Sequence, residues 1–279
     1  NQRGIALFDG ERFEQVDGPG GIIYDFCAGP DQRIYLATGR ALGYLQPSER
    51  REWQFVPLPL PAGAPPPGDI GRVVAAHGRV FFLSRSLLLS HHPRSGWRWR
   101  ASTSFYADLR LRDDRLLLYE EGSGWLQYDP AREDFAPTGE PGMPATGLAA
   151  TSEQAGDPWY ATDRRTIYRR QDGRWAPFVP DAPAGWLEDR IEALARLPSG
   201  ELAVGTRFGG LYQFAADGSL TRRIAPALLP GARITDIEVD AEGGLWLALD
   251  GGIARVEPDN TLTRFDRNLG ATQVERIRR

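Results

Sequence analysis

The sequence predicts an all-β fold, a β-propeller of seven four-stranded blades with one blade split between the two ends of the chain. Two observations carry the prediction: apolar runs that recur with a long period, and a turn count that leaves part of a blade over at each end. The runs are "IYLAT" from Ile34, "VFFLS" from Val80, "LLLYE" from Leu116, "WYAT" from Trp159, "LAVGT" from Leu202 and "LWLAL" from Leu245. Each follows a Gly or Asp turn, and successive starts lie 36 to 46 residues apart. One short β unit repeated about every 40–45 residues is the signature of a propeller blade. Helical solenoids share that period, but these units lack 3.6-residue spacing, and turn clusters interrupt them about every 8–12 residues.

Each unit resolves into four strands, a to d. In the last full unit "ITDIEVD" is strand a, "LWLAL" strand b, "IARVE" strand c and "TLTRFD" strand d. The a–b turns ("GPDQ", "AHG", "RDD", "EQAGD", "PSGE", "AEGG") are polar. Their Gly and Asp residues supply the left-handed backbone or local side-chain bonds that tight hairpins need. Seven c–d turns can be counted against six a–b turns. The surplus "GIALFDGERFEQV" is a c–d hairpin with nothing before it, and "ATQVERIRR" reads as a strand a with nothing after it. The expectation is that the two ends meet in one blade whose second strand is missing or comes from outside the chain. Closing the ring in this way removes free sheet edges. The segment "PLPLPAGAPPPGD" falls between a strand d and the next strand a and is read as a surface loop, not a linker. Residues 1–279 are thus read as a single propeller domain, and the start at Asn1 as that of a fragment of a longer receptor.

Composition narrows the function classes. Of 279 residues 41% are hydrophobic, and 33 basic residues face 37 acidic ones for a net charge of -4. Nothing in that balance draws the whole molecule to nucleic acid. Every basic residue is Arg, whose planar fork suits carboxylate and phosphate groups. The single cysteine, Cys27, allows no internal disulfide and no cysteine-rich metal site. No apolar run reaches the length of a membrane span, and no signal-peptide pattern opens the chain.

The unit "DAEGGLWLALDGGIARV" from Asp240 resembles the two-component regulator propeller repeat, a strand followed by D-x-x-G-x-L-W-x-[AG]-T and then G-[IL]-x-R, with Leu249 where Thr is usual. "LPSGELAVGTRFGGLYQF" from Leu197 keeps Thr206 and has Ala203 for Trp; "GPDQRIYLATGRALGYL" from Gly29 has Tyr35 for Trp. The units containing Val80 and Leu116 are weak copies. The resemblance covers the whole chain as a period and about half of it as a motif. It implies a periplasmic sensor propeller of a bacterial histidine kinase or diguanylate cyclase, in an inner-membrane receptor that dimerises through its full-length chain. Propellers also host lyases, lactonases, lectins and scaffolds, so the fold alone assigns no function.

A search for chemistry finds no catalytic constellation, no metal site and no cofactor motif. His77 lies in an a–b turn, whereas His91 and His92 end a strand c and point to opposite faces. Cys27 falls in an inner strand and is read as buried and inert. One positional signal remains. In a closed ring the b–c turns and the d–a connections share one face, and five of seven b–c turns hold an Arg: Arg3, Arg40, Arg85, Arg164 and Arg207. The d–a connections add Arg72, Arg190 and Arg233, each just before a strand a. Trp186, in a d–a loop, and Phe208 would add apolar or stacking surface. The expected ligand site therefore comprises Arg40, Arg72, Arg164, Arg190, Arg207, Phe208, Arg233 and Trp186. It would take a small anionic molecule, such as an acidic oligosaccharide, because guanidinium groups bind such groups bidentately. The readings set against this sensor are a propeller enzyme of lyase or lactonase type and a scaffold for protein partners.

Overall fold

In the computed structural model the apolar runs become the second strands of successive antiparallel sheets. The structure describes residues 5–8, 13–16, 22–38, 41–47, 53–112, 114–139, 142–144, 150–151, 159–178, 189–258 and 261–265. The chain forms two compact units, Asn1–Thr138 and Gly139–Arg279. In the first, β1 (Ile5–Phe8) and β2 (Phe13–Val16) form a two-stranded hairpin. Blade 1 follows as β3 (Asp25–Ala28), β4 (Ile34–Ala37), β5 (Leu42–Pro47) and β6 (Trp53–Pro57). Blade 2 is β7 (Ile70–Ala76), β8 (Arg79–Ser84), β9 (Leu87–His92) and β10 (Gly96–Ala101). Blade 3 is β11 (Tyr106–Arg112), β12 (Arg115–Glu120), β13 (Gly124–Asp129) and β14 (Asp134–Pro137).

The second unit holds blade 4, made of β15 (Ala150–Thr151), β16 (Trp159–Thr162), β17 (Ile167–Gln171) and β18 (Arg174–Phe178). Blade 5 is β19 (Ile191–Arg196), β20 (Leu202–Thr206), β21 (Leu211–Phe214) and β22 (Leu220–Ile224), and a 3-10 turn at Pro226–Leu228 follows it. Blade 6 is β23 (Ile234–Val239), β24 (Leu245–Leu249), β25 (Gly252–Val256) and β26 (Leu262–Arg264).

Six four-stranded blades are thus present among the described residues, not the seven expected. A turn count registers hairpins, not sheets: β1 and β2 do pair, but that sheet has two strands among the described residues. The segment expected to complete it, residues 271–279, lies outside the described residues. The proline-rich stretch falls between β6 and β7, inside the first unit, as a d–a connection.

Burial explains why the b strands do not alternate. All six residues of β8 and all five of β20 are buried, because a neighbouring blade covers each face. Between blades 1 and 2, Tyr35, Val80, Phe82 and Leu89 interlock; between blades 2 and 3, Phe81, Leu83, Leu118 and Tyr128 do so. In the second unit Tyr160, Leu194, Val204 and Phe214 join blades 4 and 5, and Ala195, Leu211, Ile234 and Leu247 join blades 5 and 6. Cys27 packs half-buried at the margin of the first of these clusters.

The motif residues have physical roles within single blades. Asp240 Oδ1 accepts the N–H groups of Glu242 and Gly244 and so shapes the a–b turn. Its Oδ2 accepts from Trp246 Nε1 and from Nε and Nη2 of Arg255, so the D, W and R of the motif form one cluster. Tyr35 reproduces the contact in blade 1, where its hydroxyl donates to Asp31 Oδ2 at 3.1 Å. The terminal Thr pins the b–c turn: Thr206 Oγ1 donates to Gly210 O and accepts from Gly209 N, and Thr38 and Ser84 bond the same way to Ala41 and Leu87. Before that Thr only a small residue fits. A Cβ on Gly205 would lie 2.6 Å from Ile234 Cγ2 of the next blade.

Candidate functional site

In the second unit the loops at one end of blades 4, 5 and 6 are tied into a continuous surface by backbone bonds. The b–c turn of blade 4 carries Arg164, whose N–H donates to Thr162 Oγ1 and whose carbonyl accepts from Ile191 at the start of β19. The b–c turn of blade 5 carries Arg207, whose N–H donates to the carbonyls of Asp189 and Arg190. Before blade 6, Arg233 exchanges two backbone-side bonds with Asp250 of that blade's b–c turn. The turn comes close enough that a Cβ on Gly251 would overlap Pro230 O. Arg164 and Arg190 have positive φ, 81° and 48°, a conformation uncommon outside glycine.

A carboxylate absent from the expected site lies at its centre. Glu192 occupies the irregularity in β19 where pairing with β20 shifts register between Ile191 and Ala193. That bulge turns its side chain into the surface, where 5% of it is exposed. Its Oε2 accepts from Arg233 Nη2 at 3.3 Å. Its Oε1 lies 3.7 Å from Arg164 Nη1, too far for a hydrogen bond, and has no hydrogen-bond partner among the described residues. Arg233 Nε is likewise buried and unbonded. A carboxylate from blade 5 is thus held between guanidinium groups of blades 4 and 6, tightly on one side and loosely on the other.

The remaining charges divide the arginines further. Burial pushes the Asp189 carboxyl above the usual carboxylate range, against the Phe208 N–H and the Thr206 hydroxyl, which favour its charged form. Among the described residues Arg190 and Arg207 form no ion pair with a side-chain carboxylate. The Arg207 guanidinium lies 5.4 Å from the ring centroid of Phe208, within cation–π range. Phe208 is 61% exposed and Leu228, in the following d–a connection, 57%. Four arginines therefore share this surface with Glu192, Asp189 and Asp250, and the excess positive charge is small.

Of the expected residues, Arg164, Arg190, Arg207, Phe208 and Arg233 come together. Arg72 belongs to the first unit, within β7, where it pairs at 3.4 Å with the buried Asp108 of blade 3. It ties two inner strands together. Arg3, Arg40 and Trp186 lie outside the described residues. Arg85, in the first unit, covers the ring of Phe105 at 5.3 Å.

Comparison with solved structures follows from this geometry. Virginiamycin B lyase of Staphylococcus aureus superposes with a TM-score of 0.65 at 14% identity, covering 88% of this chain and 85% of its own. The fold is a β-propeller. Two extracellular domains of putative hybrid two-component systems from B. thetaiotaomicron are also similar. One has a TM-score of 0.67 at 13% identity over 92% of this chain, the other 0.67 at 16% over 98%. This chain spans only 37% and 36% of those two proteins. No protein-family model matches the sequence, and no curated protein matches it significantly. At these identities the likeness is one of fold, shared by an enzyme and by extracellular domains of two-component systems. No helix among the described residues is long and apolar enough to cross a membrane.

Proposed function

We propose that the chain is one ligand-sensing, non-enzymatic propeller domain of a longer bacterial signalling receptor, exposed outside the cytoplasm. It binds a small anionic ligand, an acidic saccharide being the class that best matches, at the loops of blades 4 to 6. The observation carrying this reading is the grouping of Arg164, Arg190 and Arg207 beside the exposed Phe208, where among the described residues no short ion pair to a side-chain carboxylate holds any of the three. Arg233 is the structural member, bonded to Glu192. The assembled groups (guanidinium forks, a ring face and a recessed carboxylate) are recognition groups, which supports binding as the reading of this surface. The likeness to extracellular domains of two-component systems supports the placement outside the cytoplasm.

The experiment is a calorimetric titration of acidic and neutral oligosaccharides against the wild type and an Arg164→Ala, Arg207→Ala double variant. A hydrogen bond to a charged group is worth roughly 1.5–3 kcal/mol, so the variant loses about ten- to a hundredfold in affinity for the acidic ligand. Equal affinity for neutral and acidic ligands, or no loss in the variant, overturns the reading.

A further inference from the structure

The strands a of blades 2, 3, 5 and 6 carry the same irregularity, one residue standing out of register near the start. It is Gly71 in β7, Ala107 in β11, Glu192 in β19 and Thr235 in β23. The repeat therefore needs no charge at this point. A Cβ on Gly71 would meet open space, and Ala107 is exposed, so the position opens to solvent. Thr235 donates its hydroxyl to Ala248 O of its own blade. Among these four, blade 5 alone has a carboxylate there, covered by the arginines that reach it from blades 4 and 6.

Those arginines leave Glu192 incompletely bonded. Glu192 Oε1 and Arg233 Nε are both buried without a hydrogen bond among the described residues. Arg233 Nη2 meanwhile donates to the other oxygen of the same carboxylate at 3.3 Å. One spare acceptor thus lies beside one spare donor. An unbonded buried oxygen of this kind costs free energy, and a bulge that tolerates Gly and Ala does not require it. A hydroxyl both donates and accepts, and so matches the two valences together. The Arg164 side chain is 46% exposed, and its Nη1 stands 3.7 Å from Oε1, beyond hydrogen-bond distance. Turning it outward toward an anion costs little.

We propose that Glu192 selects, among the anions assigned to this surface, those with a hydroxyl on the carbon next to the acid-bearing carbon, as in a uronate; the inference rests on that assignment. The ligand's acid group draws the Arg164 fork outward. Its hydroxyl takes the vacated place, donating to Glu192 Oε1 and accepting from Arg233 Nε. The 3.7 Å between Arg164 Nη1 and Oε1 sets the spacing, so the two ligand groups sit on neighbouring carbons. An acid that lacks the hydroxyl meets the Glu192 charge with no hydrogen bond to offset it.

The test is an NMR titration of the 15N-labelled 279-residue chain with methyl galacturonoside, its 4-deoxy analogue and the neutral methyl galactoside. The galacturonoside shifts the backbone amides of Arg164, Glu192 and Arg207, and binds about tenfold more tightly than the 4-deoxy acid. Glu192→Gln, checked for an unchanged melting temperature, brings that ratio down to about twofold or less. A Glu192 that merely ties blades together would move both affinities alike, and a ratio unchanged in this variant overturns the inference. Arg164→Ala weakens both acids and keeps the ratio. Where Glu192→Gln fails to fold, the ratios in the wild type and in Arg164→Ala decide. Equal binding of the two acids, both tighter than the galactoside, overturns the inference and leaves the anion site standing. Three equal affinities overturn both.

Discussion

Asp240 and Glu192 are both carboxylates set among arginines in the second unit, and they are built to opposite ends. Asp240 is saturated by two turn N–H groups, the Trp246 indole and two nitrogens of Arg255. Those bonds, Arg255 foremost among the groups that favour the anion, outweigh its burial and hold the Asp240 carboxyl below the usual carboxylate range. All its partners come from one blade. Among the described residues Glu192 draws its partners from two other blades and has one side-chain hydrogen bond at 3.3 Å, with an oxygen left over. A repeat encodes contacts that close within each copy, whereas a site assembled across copies keeps unfilled valences.

The largest effect expected from this contrast is on stability. Asp240→Ala strands the Arg255 and Trp246 donors and costs about 2–3 kcal/mol, read as a lowered melting temperature. Because the folded-state carboxyl is depressed, its contribution is present above the unfolded value near 3.9 and is lost as pH falls through the folded value. Acid melting of the wild type and Asp240→Asn should therefore converge at low pH.

Next in size is the division among the arginines. Arg233→Ala leaves the buried Glu192 with only the 3.7 Å contact to Arg164 and costs about 1–2 kcal/mol. Arg207→Ala changes stability by no more than about 0.5 kcal/mol, as expected of a surface side chain. Equal melting temperatures for the two variants would erase the distinction drawn here.

Two pH effects are smaller. Burial and the nearby Arg79 lower the His91 value, with His92 and Arg33 acting the same way and Asp31 opposing them. His91 packs on Trp97 at 4.7 Å and near Tyr35, and its Nδ1 is buried without a hydrogen bond among the described residues. Above about pH 6.5 the group is neutral in both states; as pH falls below that, the unfolded chain takes up the proton first and stability drops. His91→Leu should flatten that part of a melting-temperature profile. Asp189 shifts the other way. Its raised value means that it is neutralised at a higher pH than an ordinary carboxylate, so an anion beside Arg207 should bind more tightly as pH falls through that range.

Much of the blade architecture could be read directly, because strand b is buried on both faces and writes an unbroken apolar run. Each of the six runs, from Ile34 to Leu245, became the second strand of a sheet. The blade number could not be read in the same way, since the "FDGER" hairpin looks identical whether or not two more strands join it. Arg164, Arg190, Arg207 and Arg233 were found from position in the repeat. Glu192 was not, because its orientation depends on a register shift at Ile191–Ala193 that leaves no mark in the alternation of "RIEALAR". Arg72 failed for a related reason: it was placed just before strand a, but it lies within β7, where Asp108 of the next blade claims its guanidinium. Had Arg164 and Arg233 been asked for their carboxylate, Glu192, close to both in the repeat, would have been the signal.

The central claim is that Arg164 and Arg207 recognise an anion while Arg233 holds the loops that present them. The most direct test is the affinity of one acidic oligosaccharide for the Arg164→Ala, Arg207→Ala variant relative to wild type, measured at low salt and again at 0.5 M. The account predicts a ten- to hundredfold loss at low salt that shrinks as salt screens the wild-type interaction. An unchanged affinity at both salt concentrations would contradict it.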